Sequence, residues 1–283
     1  MKIRELQQDI LKKLSSFLEE GESRAIVRRV MEHFTGYNPL YINLNPQTEV
    51  DASVVNQINK AVNQLLENKP VQYVLGETVF CELPFVVSDS VLIPRPETEE
   101  LTRWVIEENP KAVKMLDICT GSGCIAVSLA KNRKNCDVYA VEISQDALKI
   151  AQKNAELNKV KIHFIQYDIF TSDFQHFIDM KFDVIVSNPP YVRQLEKSGM
   201  HSRVLDYEPH LALFVDDENP LLFYHTILQF GKTHLVDGGK LYVEINEQFG
   251  KEMVDLYATY GYTDICLKKD IHGKDRMICG VHV

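Results

Sequence analysis

The chain has 283 residues, 45% of them hydrophobic and 25% charged, with a formal net charge of −9. These values describe a folded chain of one large or two modest domains and exclude disorder. They also exclude a spanning helix, since no run approaches about 18 uncharged apolar residues, and they lack the basic stripe with which duplex-DNA binders replace counterions.

The first residues, MKIRELQQDILKKLSSFLEE, mix acids with bases and carry no small-residue cleavage site. They read as an amphipathic helix of a cytoplasmic protein, not as a signal or transit peptide. Ile3, Leu6, Ile10, Leu11, Leu14 and Leu18 follow a helical period. A second helix is predicted over Ser23–Phe34, ending at the Thr35-Gly36 turn. A third opens at Asp51 or Ser53, presents Val54, Val55, Ile58, Val62, Leu65 and Leu66 on one face, and stops at Asn68-Lys69-Pro70. Each is too short to be stable alone, so residues 1–75 are expected to form a small helical bundle. That segment holds nine basic and nine acidic residues, which leaves the whole −9 in residues 76–283.

From Gly76, TVFCELPFVVSDSVLIPR offers short β-type runs broken by Pro84 and by Ser88–Ser90. It predicts a β-hairpin and linker over residues 76–109. Beyond residue 110 strands and helices alternate. Strands are expected at Val113–Asp117, Val138–Glu142, Ile162–Gln166, Phe182–Ser187, Lys240–Ile245, Thr263–Leu267 and Met277–Val281, the last two separated by HGKDR. Helices are expected at Cys124–Lys131, Ser144–Leu157, Pro220–His234 and Gln248–Tyr260. This alternation makes residues 110–283 an α/β domain with a mainly parallel sheet covered on both faces. The six cysteines (Cys81, Cys119, Cys124, Cys136, Cys266, Cys279) form no CxxC pair, and the histidines show no HxxxH or HExxH spacing. Reduced packing residues and no metal site are expected.

Within LDICTGSGCIA the chain leaves the first strand of this domain and enters a helix. Gly121 and Gly123 let the backbone approach a ligand, and the amides of Thr120–Gly123 at a helix start suit an anionic or polar group. Glu142 at the end of the second strand is placed for two ribose hydroxyls. Together they indicate an adenosine-containing cofactor. Gly121-x-Gly123-x-x-Ala126 followed by Glu142 also fits a dinucleotide, which would make the protein a dehydrogenase. Asp117 before the loop, facing a cationic amino-acid tail, and Asp168 with Ile169 after the third strand, facing adenine, suit S-adenosylmethionine better. Asp168 taken singly also fits a helix N-cap.

The fourth strand, FDVIVS, runs into Asn188-Pro189-Pro190-Tyr191. A planar amino group is a poor nucleophile because its lone pair is delocalised. If the Asn188 side-chain oxygen and the Pro189 carbonyl accept its two N–H groups, the nitrogen is drawn toward a pyramidal form with its lone pair aimed at a methyl donor. Fixed acceptors where positive charge develops are electrostatic preorganisation, and the prolines bring no competing amides. Tyr191 is expected to cover the substrate's flat face. The plain alternative is a proline-rich turn with an Asn in it.

NPPY after an apolar strand, with DICTGSG, resembles class I methyltransferases that act on amino groups. PVQYVLG (70–76), VLIPRPETEEL (91–101) and YEPHLALF (207–214) narrow the resemblance to the HemK/PrmC family, protein-(glutamine-N5) methyltransferases of peptide-chain release factors. The resemblance implies a Rossmann-like domain with a seven-stranded sheet, S-adenosylmethionine as cofactor, and methylation of the Gln in the release-factor Gly-Gly-Gln motif. It implies cofactor contacts at Thr120, Gly121, Ser122, Gly123, Glu142 and Asn188 and around Asp168, and substrate contacts at Asn188, Pro189 and Tyr191, with Pro190 as scaffold. Arg95 and Glu97 of IPRPETE are further candidates for ligand contact. Cys119 stands where the methyltransferase loop has its first glycine, and ELPF replaces the usual GLPF. The expected partner is a release factor docked by the helical front, with no stable nucleic-acid binding, no membrane and a monomeric state. Ribosomal-protein glutamine methylation, adenine-N6 DNA methylation and a non-catalytic cofactor sensor stay open as alternatives; a flipped adenine and a glutamine amide present the same planar NH2.

Overall fold

A computed structural model describes residues 1–171, 177 and 179–283 of the chain. It divides into two units, one of residues 1–76 with 201–207, the other of residues 77–200 with 208–283.

The first unit contains α1 (Ile3–Leu14), α2 (Glu20–Thr35), α3 (Pro39–Leu44), α4 (Ala52–Leu66) and α5 (Val71–Leu75). Its core takes Ile3, Leu6, Ile10 and Leu14 from one face of α1, Ile26, Val30 and Met31 from α2, and Ile58, Val62 and Leu65 from α4. These are the helical stripes that periodicity marks. Gly36 ends α2 in the left-handed conformation, φ +70°, where a side chain is disfavoured. The short α3 starts on Pro39 with the Asn38 side chain accepting from the Tyr41 amide; it and α5 lie below the length at which periodicity carries a signal.

The second unit begins with the hairpin β1 (Glu77–Phe80) and β2 (Leu83–Val86), followed by α6 (Pro96–Glu108). Strand β2 runs through Pro84, which pairs opposite Val79, so Pro84 does not break the strand as expected. The ladder has only two strands, and an edge position tolerates a missing amide. The segment read as hairpin and linker also holds α6, a 13-residue helix opening on Pro96 with Glu97 and Glu99 in its first turn. Both are helix-start signals.

The chain continues through β3 (Lys114–Ile118), α7 (Cys124–Asn132), β4 (Asp137–Glu142), α8 (Gln145–Asn158), β5 (His163–Gln166) and β6 (Phe182–Ser187). After β7 (Val192–Arg193) come α9 (Ser202–Tyr207), β8 (Phe214–Val215), α10 (Leu222–His234), β9 (Leu235–Glu244), α11 (Gly250–Thr259), β10 (Thr263–Lys269) and β11 (Asp275–Val281). Helix α9 groups with the first unit, where Arg203 donates to the Asn68 side chain at 2.8 Å and Tyr207 to the Glu67 carbonyl at 2.6 Å.

Seven strands form one sheet in the order β10-β11-β9-β6-β3-β4-β5. The β5, β4, β3, β6 and β9 neighbours are parallel, and β11 runs antiparallel to both β9 and β10. This is the expected Rossmann-like methyltransferase sheet. Strand alternation sends Met115, Val138, Val184, Val186 and Tyr242 into a core with Leu101 and Trp104 of α6 and with α7. Leu116, Ile118, Val141, Ile185, Leu241 and Val243 point the other way, into a core with α10 and α11. Among the described residues no helix is long and apolar enough to cross a membrane.

Candidate active site

After β3 the chain builds outward to β4 and β5, then returns to lay β6 on the other side of β3. Loops at the C-terminal ends of β3 and β6 therefore diverge at the switch point, where doubly wound sheets bind ligands. A cavity of about 280 Å³ lies there, near the small end of ligand sites. A wider cleft of about 960 Å³, bordered by Lys131, Arg133, Asp137, Lys161 and His163, lies at the opposite strand ends and holds none of the residues singled out from the sequence.

The loop after β3 turns on three residues with positive φ: Cys119 (+60°), Gly121 (+53°) and Gly123 (+77°). Cys119 thus keeps the left-handed turn that a glycine would make, at a cost of about 1–2 kcal/mol. Burial and the Glu142 and Asp117 charges push its thiol up. A Cβ on Gly123 would sit 3.0 Å from the Ala151 Cβ, so this glycine serves the approach of α8 to the loop. Asn154 of α8 fastens the loop from below, donating to the Ser122 and Val86 carbonyls at 2.9 Å each. Glu142 accepts from the Gly121 amide and the Ser144 amide, both at 3.0 Å, and spans the loop and the start of α8.

Nine of the candidate contact residues line the cavity together: Arg95, Thr120, Gly121, Ser122, Glu142, Asp168, Ile169, Asn188 and Pro190. Asp168 accepts from the Phe170 amide at 3.0 Å, closing a local turn, and caps no helix among the described residues. Arg95 pairs at 2.5 Å with Glu208, whose other oxygen accepts from the Ile93 amide at 3.2 Å. This joins the IPRPETE and YEPHLALF stretches across one wall.

Five others stand outside that lining: Asp117, Gly123, Pro189, Tyr191 and Glu97. Asp117 shares the parity of Met115 and so points beneath α7, fully buried, instead of at the cavity. Its Oδ2 accepts from the Thr120 hydroxyl at 2.5 Å and the Ala126 amide at 3.2 Å, satisfying an orphan donor of the helix start. Its Oδ1 is buried without a partner among the described residues. Burial pushes this carboxyl up to about 7 against the two donors, and the Glu142 charge adds to the rise. Tyr191 does not lie open over the cavity; its ring is half-buried and its hydroxyl turns inward to Glu244 at 2.8 Å. Pro189 is buried, and Glu97 sits half-buried in the first turn of α6.

The amide of Asn188 is held from behind. Its Nδ2 donates to Thr98 Oγ1 at 3.0 Å, and Thr98 Oγ1 donates to Glu244 Oε2 at 2.6 Å. Among the described residues the Asn188 oxygen has no hydrogen-bond partner. Glu244 is 1% exposed. Burial pushes its carboxyl up, and the Thr98 and Tyr191 hydroxyls and the Arg276 charge oppose the rise.

Comparison with known proteins bears on this arrangement. Residues 9–76 match the PrmC N-terminal domain and residues 98–206 the methyltransferase small domain. A release factor glutamine methyltransferase of Flavobacterium psychrophilum is 47% identical over 98% of both chains. The chain belongs to the release factor glutamine methyltransferase family. Another such protein, from Bacteroides thetaiotaomicron, is 41% identical over 95% of this chain and 96% of its own. Among solved structures, a Pyrococcus furiosus methyltransferase superposes with a TM-score of 0.51 at 19% identity, covering 80% of this chain and 100% of that one. A T. thermophilus 16S rRNA methyltransferase in complex with AdoMet and guanosine gives 0.50 at 15% identity, over 73% and 50%. These two likenesses show the fold.

For a member of this methyltransferase family, sequence reasoning missed Thr98, Glu208 and Glu244, together with the apolar wall of Leu92, Phe170, Leu211 and Phe223. Glu244 carried a signal: VEI occurs at 141–143 and again at 243–245, each time closing an apolar strand on an acid.

Proposed function

We propose that this protein transfers a methyl group from S-adenosylmethionine to the side-chain amide nitrogen of the glutamine in the Gly-Gly-Gln motif of release factors. The observation that carries the reading is that Asn188 lines the same cavity as Glu142 and Asp168, with its Nδ2 engaged by Thr98 and its oxygen left without a partner among the described residues. The residues present fit the cofactor. Glu142 offers a carboxylate to ribose hydroxyls, Asp168 an acceptor to the adenine amino group, and the 120–123 loop its backbone, while Ile169 and Phe170 supply apolar surface. When bound, S-adenosylmethionine supplies an electrophilic methyl carbon.

The chain's own residues prepare the nucleophile. The Asn188 oxygen and the Pro189 carbonyl accept the two N–H groups of the substrate amide, which weakens conjugation and orients the nitrogen lone pair. Positive charge developing on that nitrogen then faces two fixed oxygens. No general base is required before transfer, because the proton leaves only after the nitrogen has become cationic. Orientation accounts for most of the rate. Tyr191 acts by bracing the NPPY turn through Glu244. The helical unit docks the release factor, and the enzyme works as a cytoplasmic monomer without nucleic acid.

Asn188→Ala is expected to lower methyl transfer by a factor of about 100 or more while cofactor affinity stays within a few-fold. Near-normal turnover would remove the amide from the mechanism. Deleting residues 1–75 is expected to raise KM for full-length release factor, and unchanged kinetics would end the docking role.

A further inference from the structure

Asn188 can present either end of its amide to the cavity, and only the oxygen end accepts N–H groups. What selects that end is Thr98, which lines the same cavity, and the carboxylate next to it. In the parallel β6–β9 ladder Ser187 pairs with Val243, so the next positions, Asn188 and Glu244, lie side by side. They share the parity of Val186 and Tyr242, whose side chains meet α6. Thr98 of α6 is the group they both reach.

We propose that Glu244 and Thr98 are positioning residues that set the flip of the Asn188 amide; this rests on the functional reading above. Glu244 accepts at both oxygens, from Tyr191 at 2.8 Å and from Thr98 at 2.6 Å. Thr98 has one hydroxyl proton, and Glu244 takes it. The Thr98 oxygen is then left as an acceptor toward Asn188, and only Nδ2 of the amide donates. The contact at 3.0 Å is made by Nδ2, which leaves the amide oxygen free to accept from the substrate. Reversal of the amide would set its oxygen against the Thr98 oxygen and its NH2 against the substrate NH2, two acceptors and two donors facing each other. Thr98 is 2% exposed, so solvent has little access to this bond. The direction of a single buried hydroxyl thus decides whether the active site accepts or repels an amino group.

The test compares Thr98→Ser, which keeps the hydroxyl, with Thr98→Val, which keeps the shape and removes it. Thr98→Ala, which removes it without placing a methyl group against the carboxylate, serves as a second variant should Val fold poorly. With release factor and S-adenosylmethionine, kcat is expected to fall about tenfold or more in Val and Ala, the factor that one hydrogen bond is worth. KM and cofactor Kd stay within about twofold, and Ser restores kcat. Equal kcat in all variants would overturn the proposal, as would a loss that Ser shares or one that appears in KM or cofactor binding. The Asn188 side-chain 15N–1H2 resonances, identified by their disappearance in Asn188→Ala, give a readout independent of turnover. One of the two protons should be protected from exchange in the wild type and Ser but not in Val or Ala; protection retained in Val and Ala would overturn the proposal. A wild-type protein that leaves release factor unmethylated would defeat the functional reading instead, and the resonances would still decide the relay.

Discussion

Asp117 makes the stability of the second unit depend on pH in a direction opposite to most carboxylates. Its folded value lies near 7 against an ordinary 3.8, and burial is the main cause. Between those values the native state holds a proton that the unfolded chain has released. The stability from the protonated carboxyl is therefore complete below pH 3.8 and is lost as pH rises through about 7. At 1.36 kcal/mol for each pKa unit, the loss amounts to about 4 kcal/mol, a large part of a typical 5–15 kcal/mol. Asp117→Asn mimics the protonated acid: its oxygen still accepts from Thr120 and Ala126, and it has no proton to lose. At pH 5 the variant should be the more stable by about 2 kcal/mol, and at pH 8 by about 4 kcal/mol. The only tryptophan, Trp104, lies in the core of this unit, so its fluorescence in urea titrations reports the relevant transition. Stability curves that run parallel from pH 5 to 8 would refute the assignment of a buried, protonated Asp117.

Two further outcomes are expected. Cys81 and Glu82 form the two-residue hairpin turn with φ of +47° and +64°, so Glu82→Gly should raise Tm by about 2–4 °C, the equivalent of about 1 kcal/mol. A lower or unchanged Tm by Trp104 fluorescence would refute it. Glu142→Gln keeps the shape of the side chain but removes its charge, and S-adenosylmethionine Kd by calorimetry should weaken about tenfold to a hundredfold; an unchanged Kd would take Glu142 out of the ribose contact.

Most of the sheet could be read from alternation, because the central parallel strands β3, β4 and β6 are short, mainly apolar runs bounded by turn residues. Phe182–Ser187 is the same in sequence and structure. The loop and strand-end residues that line the cavity were also legible as neighbours, since a switch point needs glycines, an acid and a terminating kink at known places. Asp117 shows where the reading fell short. Its alternation with Met115 already assigns it to the face under α7, and a carboxylate there braces the loop instead of meeting a ligand. The two VEI tripeptides make the converse point. Glu142 ends a strand beside the cavity and Glu244 ends one beneath α6, and only strand order separates them. Helix α6 falls inside the segment expected as hairpin and linker, though Pro96 and the acids after it are start signals for a helix. The association of α9 with the first unit depends on Asn68 and Glu67, more than 130 positions away, and no local pattern announces it.

The most direct measurement is tandem mass spectrometry of purified release factor after reaction with this protein and S-adenosylmethionine. One added methyl group on the side-chain amide of the Gly-Gly-Gln glutamine, lost with Asn188→Ala, is the predicted result. An unmodified glutamine, or a methyl group carried on another residue, would contradict the account.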